Sequence, residues 1–304
     1  MRFESINTLY EAALRDERIV FITGDFGHPR TEDFKKNLGG RYMNAGMSEQ
    51  HIIGMAAGLA LEGMKVFVYS IVPFITLRCF EQIKVDVCYH NTDVTIIGAG
   101  GGFAYGAAGG THYAIEDIAA LRALPRMKVI VPSSPWETRM LMPQIIAAGG
   151  PTYLRIGRGK EIDFGENEAP TLGRSQVLRK GSDATIFFAG PIGKEALDAA
   201  EILKQCDLDV EVISMHTIKP IDRDAIALRA GNRRAIFTLE EHSVLGGLGS
   251  AVAEILAELP EHPVFLRFGV QDTWPVLFGS QTYLRNAMGI SAMHVAEKIK
   301  KVLL

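Results

Sequence analysis

The sequence predicts an α/β protein built of two consecutive three-layer units, and three observations carry that prediction. Buried-strand runs alternate with helical patterns through the first half, a polar stretch containing glycine and proline follows, and a second alternating series completes the chain. The length of 304 residues agrees, since about 100 to 200 residues make one domain. In the first half, strands are expected at residues 18–23 (RIVFIT), 64–69 (MKVFVY), 94–98 (VTIIG) and 128–131 (KVIV), with an edge strand at 152–156 (TYLRI). Helices are expected at 48–62, 77–89, 115–123 and 135–148, the first rich in small residues at Gly54, Ala56, Ala57, Gly58 and Ala60. The polar stretch 161–182 reads as an interdomain link with room for a short strand. Strands at 184–189, 210–215, 234–239 and 264–268 then alternate with helices at 192–205, 222–229, 248–257 and 292–302. These observations divide the chain into units at 1–165 and 182–304 joined by a linker at 166–181.

Composition excludes several classes of function. With 47% hydrophobic and 22% charged residues, the chain has the make-up of a folded soluble protein, not of a disordered one. A net charge of −3 names no nucleic-acid or anionic-membrane partner. Cys79, Cys88 and Cys206 are an odd number without CxxC spacing, which points to reduced thiols and a cytoplasmic location. The N-terminus lacks the pattern of an export signal, and no run reaches 18 uncharged apolar positions.

Most short motifs fail on closer reading. The run Gly98-Ala99-Gly100-Gly101-Gly102-Phe103 follows a strand but puts Phe103 where the dinucleotide fingerprint needs its third glycine. It reads as a loop at the carboxyl end of a strand, where α/β sheets place their sites. Residues 246–250 (GGLGS) also lack the full spacing and read as close helix packing. No GxxxxGK[ST] or HExxH is present, and Asp25-Phe26-Gly27 stands without the other kinase motifs. The segment 44–51 (NAGMSEQH) is different. Ser48 can cap a helix whose first turn holds Glu49, and the following IIGMAAGLALEG is apolar enough to put the start of that helix inside the protein. A carboxyl group there needs either a raised pKa or a specific partner.

With these residues in view, the run 44–61 (NAGMSEQHIIGMAAGLAL) resembles the pyrimidine-binding domain of transketolase-type, thiamine-diphosphate-dependent enzymes. Residues 70–84 (SIVPFITLRCFEQIK), the segment GGTH at 109–112 with Ile115-Glu116-Asp117 and LRALP at 121–125, TIKPID at 217–222, and Glu240-Glu241-His242 before GGLGS are similar to the same family in the same order. The resemblance implies a pyrimidine-binding domain followed by a transketolase C-terminal domain. It implies that Glu49 shares a proton with the N1′ nitrogen of the cofactor's aminopyrimidine, and that His112 faces the substrate near the reacting carbon. Val72 and Ile75 fall where the family carries aromatic residues, so Phe74 is the expected ring contact, with Arg78, Tyr69 and Phe80 nearby. Asp25 matches an acidic position near the cofactor, and Arg158 an arginine that grips a sugar phosphate.

Departures from the family pattern concern the acceptor. An acidic residue that holds substrate hydroxyls falls at Ala108, a phosphate-binding histidine near Gly100, and a serine near Pro29. His28 and Tyr105 are the expected replacements, and an ordinary sugar-phosphate acceptor is in question. The GDG motif of the family's diphosphate-binding domain is missing. The chain is therefore expected to be the C-terminal subunit of a split transketolase, with Mg²⁺ and diphosphate held by a separate subunit, no metal ligands of its own, and an α₂β₂ assembly. The expected reaction moves a two-carbon ketol unit from a ketose to an aldehyde. The β subunit of a 2-oxo acid dehydrogenase-type decarboxylase, a deoxyxylulose-phosphate-synthase-like enzyme and a catalytically silent scaffold are the rival readings.

Overall fold

A computed structural model describes residues 1–159, 161–164 and 168–304; residues 166 and 167, the start of the expected linker, lie outside them. The described strands are β1 (Ile19–Thr23), β2 (Tyr42–Asn44), β3 (Lys65–Ile71), β4 (Val94–Ala99), β5 (Lys128–Ile130), β6 (Thr152–Ile156), β7 (Gln176–Arg179), β8 (Ala184–Ala189), β9 (Val210–Ser214), β10 (Thr217–Lys219), β11 (Ala235–Ser243) and β12 (Val264–Val270). They form two sheets, ordered β10-β5-β6-β4-β3-β1-β2 and β12-β11-β8-β9-β7. Both are parallel except for one antiparallel strand at an end: β10 against β5, and β7 against β9. Sheets covered on both faces by helices favour continuous apolar strands, and β1, β4, β8 and β9 are buried at every position.

Several elements depart from the sequence reading. In place of an edge strand at 152–156, β6 lies between β5 and β4 and is buried throughout. Its charged residue, Arg155, is buried, with Nε and Nη2 hydrogen-bonded inside the protein. Residues 77–89 do not form one regular helix but a 3₁₀ turn (Leu77–Cys79), a helical turn (Phe80–Gln82) and a π-helical stretch (Ile83–Tyr89). Helices Arg2–Ala13, Thr31–Leu38 and Gln281–Ala287 and strands β2 and β10 are additional. β7 is the short strand that the expected link had room for.

The two sheets are not independent bodies. Although β10 follows the second unit's β9, it completes the first sheet. One apolar cluster runs from Val20, Ile52 and Val68 through Val131 to Phe187, Ile213, Ile236 and Leu248, and so spans both sheets. A second draws Phe103, Tyr113 and Ile115 from the first unit into a core made by β8, β9, β11 and helices Gly193–Lys204 and Ala292–Leu303. A polar cluster built on β6 reaches the same boundary, and its bond to Glu241 crosses it. Arg155 Nε donates to Asp117 Oδ2 at 2.8 Å, and its Nη2 donates to the carbonyls of Ala114 at 2.7 Å and Glu241 at 3.1 Å. Tyr153 donates its hydroxyl to the same Asp117 oxygen at 2.6 Å.

Removing one partner of a buried ion pair leaves an uncompensated charge in low dielectric. Asp117→Asn is therefore expected to cost about 3–5 kcal/mol in denaturant unfolding. A loss below about 1 kcal/mol would show that the two carbonyls alone satisfy Arg155.

Candidate active site

The strands of the first sheet end at one carboxyl edge, the usual site position in such sheets. Gly24 and Asp25 follow β1, Val72–Ile75 follows β3, the Gly100 loop follows β4 and Arg158 follows β6. Helix Glu49–Leu61 opens at this edge and is rich in apolar and small residues, so its first turn is drawn into the protein. Glu49 is only 5% exposed. Of the two possibilities open to a buried carboxyl, the structure shows a specific partner. Oε2 accepts from Arg78 Nη1 at 2.7 Å and Oε1 from Ser70 Oγ at 3.2 Å. Ser48 occupies the N-cap position, yet its hydroxyl donates to the Ala45 carbonyl at 2.6 Å and does not cap the helix. Gly24 faces the same pocket: a Cβ there would stand 3.8 Å from Glu49 Oε1.

From Glu49 the site continues as a line of contacts. Arg78, 46% exposed at its side chain, lays its guanidinium 4.6 Å from the centre of the Phe74 ring, a geometry that favours a cation on the ring face. Phe74 meets His112 edge-on at 5.2 Å. His112, paired through Nδ1 with the Thr111 hydroxyl at 2.9 Å, lies 6.1 Å from the Tyr105 ring. Arg158 covers Tyr105 at 4.8 Å. Val72 and Ile75 are fully buried in the core. Phe74 is half-buried and is the ring on the site side. Gly100 has φ of +84°, and a Cβ there would overlap the Tyr105 ring. Tyr105 thus fills the space a side chain at 100 would take, and burial raises its hydroxyl pKa against the opposing charges of Arg2 and Arg158.

Two expected site residues sit elsewhere. Tyr69 points to the opposite face of β3 from Ser70; it is fully buried and stacked on Phe26 at 5.7 Å, and burial drives its hydroxyl pKa up. His28 does not open onto the cleft. Its ring is packed among Phe21, Phe34, Tyr42 and Tyr69, with Nδ1 2.6 Å from the Pro29 carbonyl and Nε2 3.1 Å from the Tyr42 hydroxyl. Asp25 follows Gly24 at the carboxyl edge and is exposed. Arg2, which no motif or spacing singles out, comes to the site through tertiary structure. It donates to the Gly27 carbonyl, lies over Phe26 at 5.1 Å, and its charge reaches Tyr105 and His28. Among the described residues no three His, Cys, Asp or Glu side chains converge as a metal-binding group. No helix among them is long and apolar enough to cross a membrane.

A buried carboxylate at a helix start, an aromatic ring and a histidine thus lie together at the carboxyl edge, where α/β sheets place their sites. Comparison with known proteins gives the chain's family. The family model described as transketolase, pyrimidine binding domain, matches residues 1–161, and transketolase, C-terminal domain, matches 173–295. An apulose-4-phosphate transketolase subunit of Phocaeicola vulgatus is 40% identical over 257 residues, 84% of this chain and 82% of that protein. The 6-deoxy-6-sulfo-D-fructose transketolase subunit SqwH of Clostridium sp. strain MSTE9 is 35% identical over 304 residues, 99% of this chain and 94% of that one. A solved structure described as split gene transketolase, inactive beta4 tetramer, superposes with a TM-score of 0.88 at 35% identity, covering 99% of this chain and 97% of that chain. The chain belongs to the transketolase family, thiamine-diphosphate-dependent transferases of aldehyde and ketone groups. It is of the split type, aligning over most of its length with chains that are themselves subunits.

The packed histidines give the protein an acid limit. Burial holds His28 below the ordinary value of 6.5, and His216 likewise. The unfolded chain then takes up these protons first as pH falls, so their contribution is complete above about 6.5 and is lost below it. The melting temperature is expected to fall from pH 7 to pH 5, and His28→Gln to flatten part of that fall. An unchanged slope would assign it to other groups.

Proposed function

We propose that this chain supplies the pyrimidine side of a thiamine-diphosphate site shared with a separate diphosphate-binding subunit, in a cytoplasmic α₂β₂ enzyme that transfers a two-carbon ketol unit from a ketose to an aldehyde. The observation that carries this reading is the buried Glu49 carboxylate, held by Ser70 and Arg78 at the head of an apolar helix and continuous with Phe74 and His112. The donor set fits the aminopyrimidine: a carboxylate to hold a proton at a ring nitrogen and an aromatic face beside it. Bound thiamine diphosphate supplies the nucleophilic carbon and electron sink that side chains lack. Glu49 holds and releases the proton at N1′. Ser70 fixes one oxygen of that carboxylate, and Arg78 balances its charge. Phe74 contacts the ring, and His112 hydrogen-bonds or protonates oxygen at the reacting carbon. Asp25 borders the cofactor from the end of β1. Mg²⁺ belongs with the diphosphate on the partner. The two units are 1–165 and 182–304, with 166–181 between them.

Arg158 over the Tyr105 ring, with the Arg2 charge felt at the same tyrosine, supports a substrate whose far end carries an anion, since a guanidinium binds a tetrahedral oxyanion through paired donors. Two relatives are named for sugars that carry such a group, apulose 4-phosphate and 6-deoxy-6-sulfo-D-fructose. Tyr105 over Gly100 makes the rim of this end differ from a histidine-lined one and favours no single anion.

With the partner subunit, thiamine diphosphate and Mg²⁺ supplied, Glu49→Gln is expected to lower kcat by about 10²–10⁴-fold, the range of a lost proton-transfer group. Activity within a fewfold of the parent would refute the assignment. Arg158→Ala is expected to raise KM for phosphorylated or sulfonated ketoses by tenfold or more, about 1.4 kcal/mol, and to leave an uncharged ketose unaffected. Equal effects on both would discard the anion grip. Turnover by this chain without the partner would overturn the shared site.

A further inference from the structure

We propose that Glu241 is a positioning residue for His112, by which the second unit clamps both limbs of the loop that carries Tyr105 and His112. The loop is pinched at its base, where Gly102 and Ala114 exchange backbone hydrogen bonds of 2.9 and 3.0 Å. Glu241, on β11 and 3% exposed, reaches this neck from across the boundary. Its Oε1 accepts from the Phe103 amide on the outgoing limb. Its main-chain carbonyl is joined by Arg155 Nη2 to the carbonyl of Ala114 on the returning limb. Gly102 lies flat against the carboxylate with φ of +64°, and a Cβ there would overlap it.

The carboxylate is itself fixed from within the second unit. Gln281 Nε2 donates to Oε1 at 2.8 Å and Arg285 Nε to Oε2, while Arg285 Nη2 holds the Pro191 carbonyl at 3.2 Å. Its charge is thus balanced inside its own unit, and the Phe103 contact serves the loop. Two further ties reach the middle of the loop: Gly279 N donates to the Gly106 carbonyl at 3.1 Å, and the Tyr113 hydroxyl to the Leu277 carbonyl. Phe103 and Tyr113, edge to face at 5.2 Å, are sunk in the second unit's core. Between these fixed points the loop keeps Tyr105 and His112 only partly buried, on the cleft side. The second unit contributes no member of the line from Glu49 to Arg158, yet it sets where that line's histidine stands. Displacements of about 1 Å cost on the order of 10²-fold in rate, so a clamp at the neck is a catalytic matter.

The proposal takes the role of His112 from the function proposed above, and its test has one arm free of that role. In the full chain bound to its partner, Glu241→Ala is expected to speed amide exchange of the segment 102–114 by about tenfold or more, leaving β8 and helix Gly193–Lys204 unchanged. Gly102→Ala, which pushes the carboxylate away from the first unit's side, is expected to do the same and serves if Glu241→Ala does not fold. In kinetics, Glu241→Ala is expected to lower kcat about 10- to 100-fold without altering thiamine diphosphate affinity, and Glu241→Gln to recover much of it by keeping an acceptor for Phe103. Added to His112→Ala, Glu241→Ala is expected to cost less than twofold more, because both act through one residue. Unchanged exchange at 102–114, exchange raised equally through the whole second unit, or losses that multiply with His112→Ala would each overturn the clamp. The exchange arm needs no substrate and reads the clamp even if no ketol transfer is found; Glu49→Gln tests that transfer independently of Glu241.

Discussion

A guanidinium in the middle of a parallel strand is tolerated only where every donor it turns inward is met, and Arg155 is the constraint on which this architecture rests. Its partners come from three places: Asp117 at the start of a helix, Ala114 at the foot of the site loop, and Glu241 on the second sheet. To bury that one side chain, the first sheet, the loop and the second unit must occupy fixed positions relative to one another. Gly101 passes so close that a Cβ would strike the guanidinium, which is a physical use for one glycine of the Gly98–Gly102 run.

The same economy governs the site. A parallel sheet brings the ends of β1, β3, β4 and β6 to a single edge, and each end delivers one part of the cleft. The carboxylate at its floor is held by a hydroxyl and by a half-exposed arginine. The arginine is the more exposed partner, and its guanidinium rests against the face of the Phe74 ring.

Much of this is legible in the primary structure because it depends on local pattern. Periodicity locates the central strands and most long helices, and the apolar small residues after Glu49 place that carboxyl inside. The helix Arg2–Ala13 escapes the sequence reading although Ile6, Leu9, Tyr10 and Ala13 carry its spacing. Strands of three residues, such as β2 and β10, carry too little pattern to be seen and form because a neighbouring edge offers hydrogen bonds. Loop position puts His28, and the family resemblance puts Tyr69, near the site in sequence terms. Aromatic packing turns both away from the cleft, which no spacing rule conveys.

By itself the sequence determined the α/β class, the two units, the family resemblance and the identity of the buried carboxylate, because each rests on short-range order or on a motif. Tertiary structure alone decided that Arg155 is interior, that β10 crosses to the first sheet, that Tyr105 fills the room over Gly100, and that Glu241 grips a loop 138 residues away. These are contacts between distant segments, fixed by the need to pair buried charges and fill buried volume, and nothing in the local sequence records which partner satisfies that need.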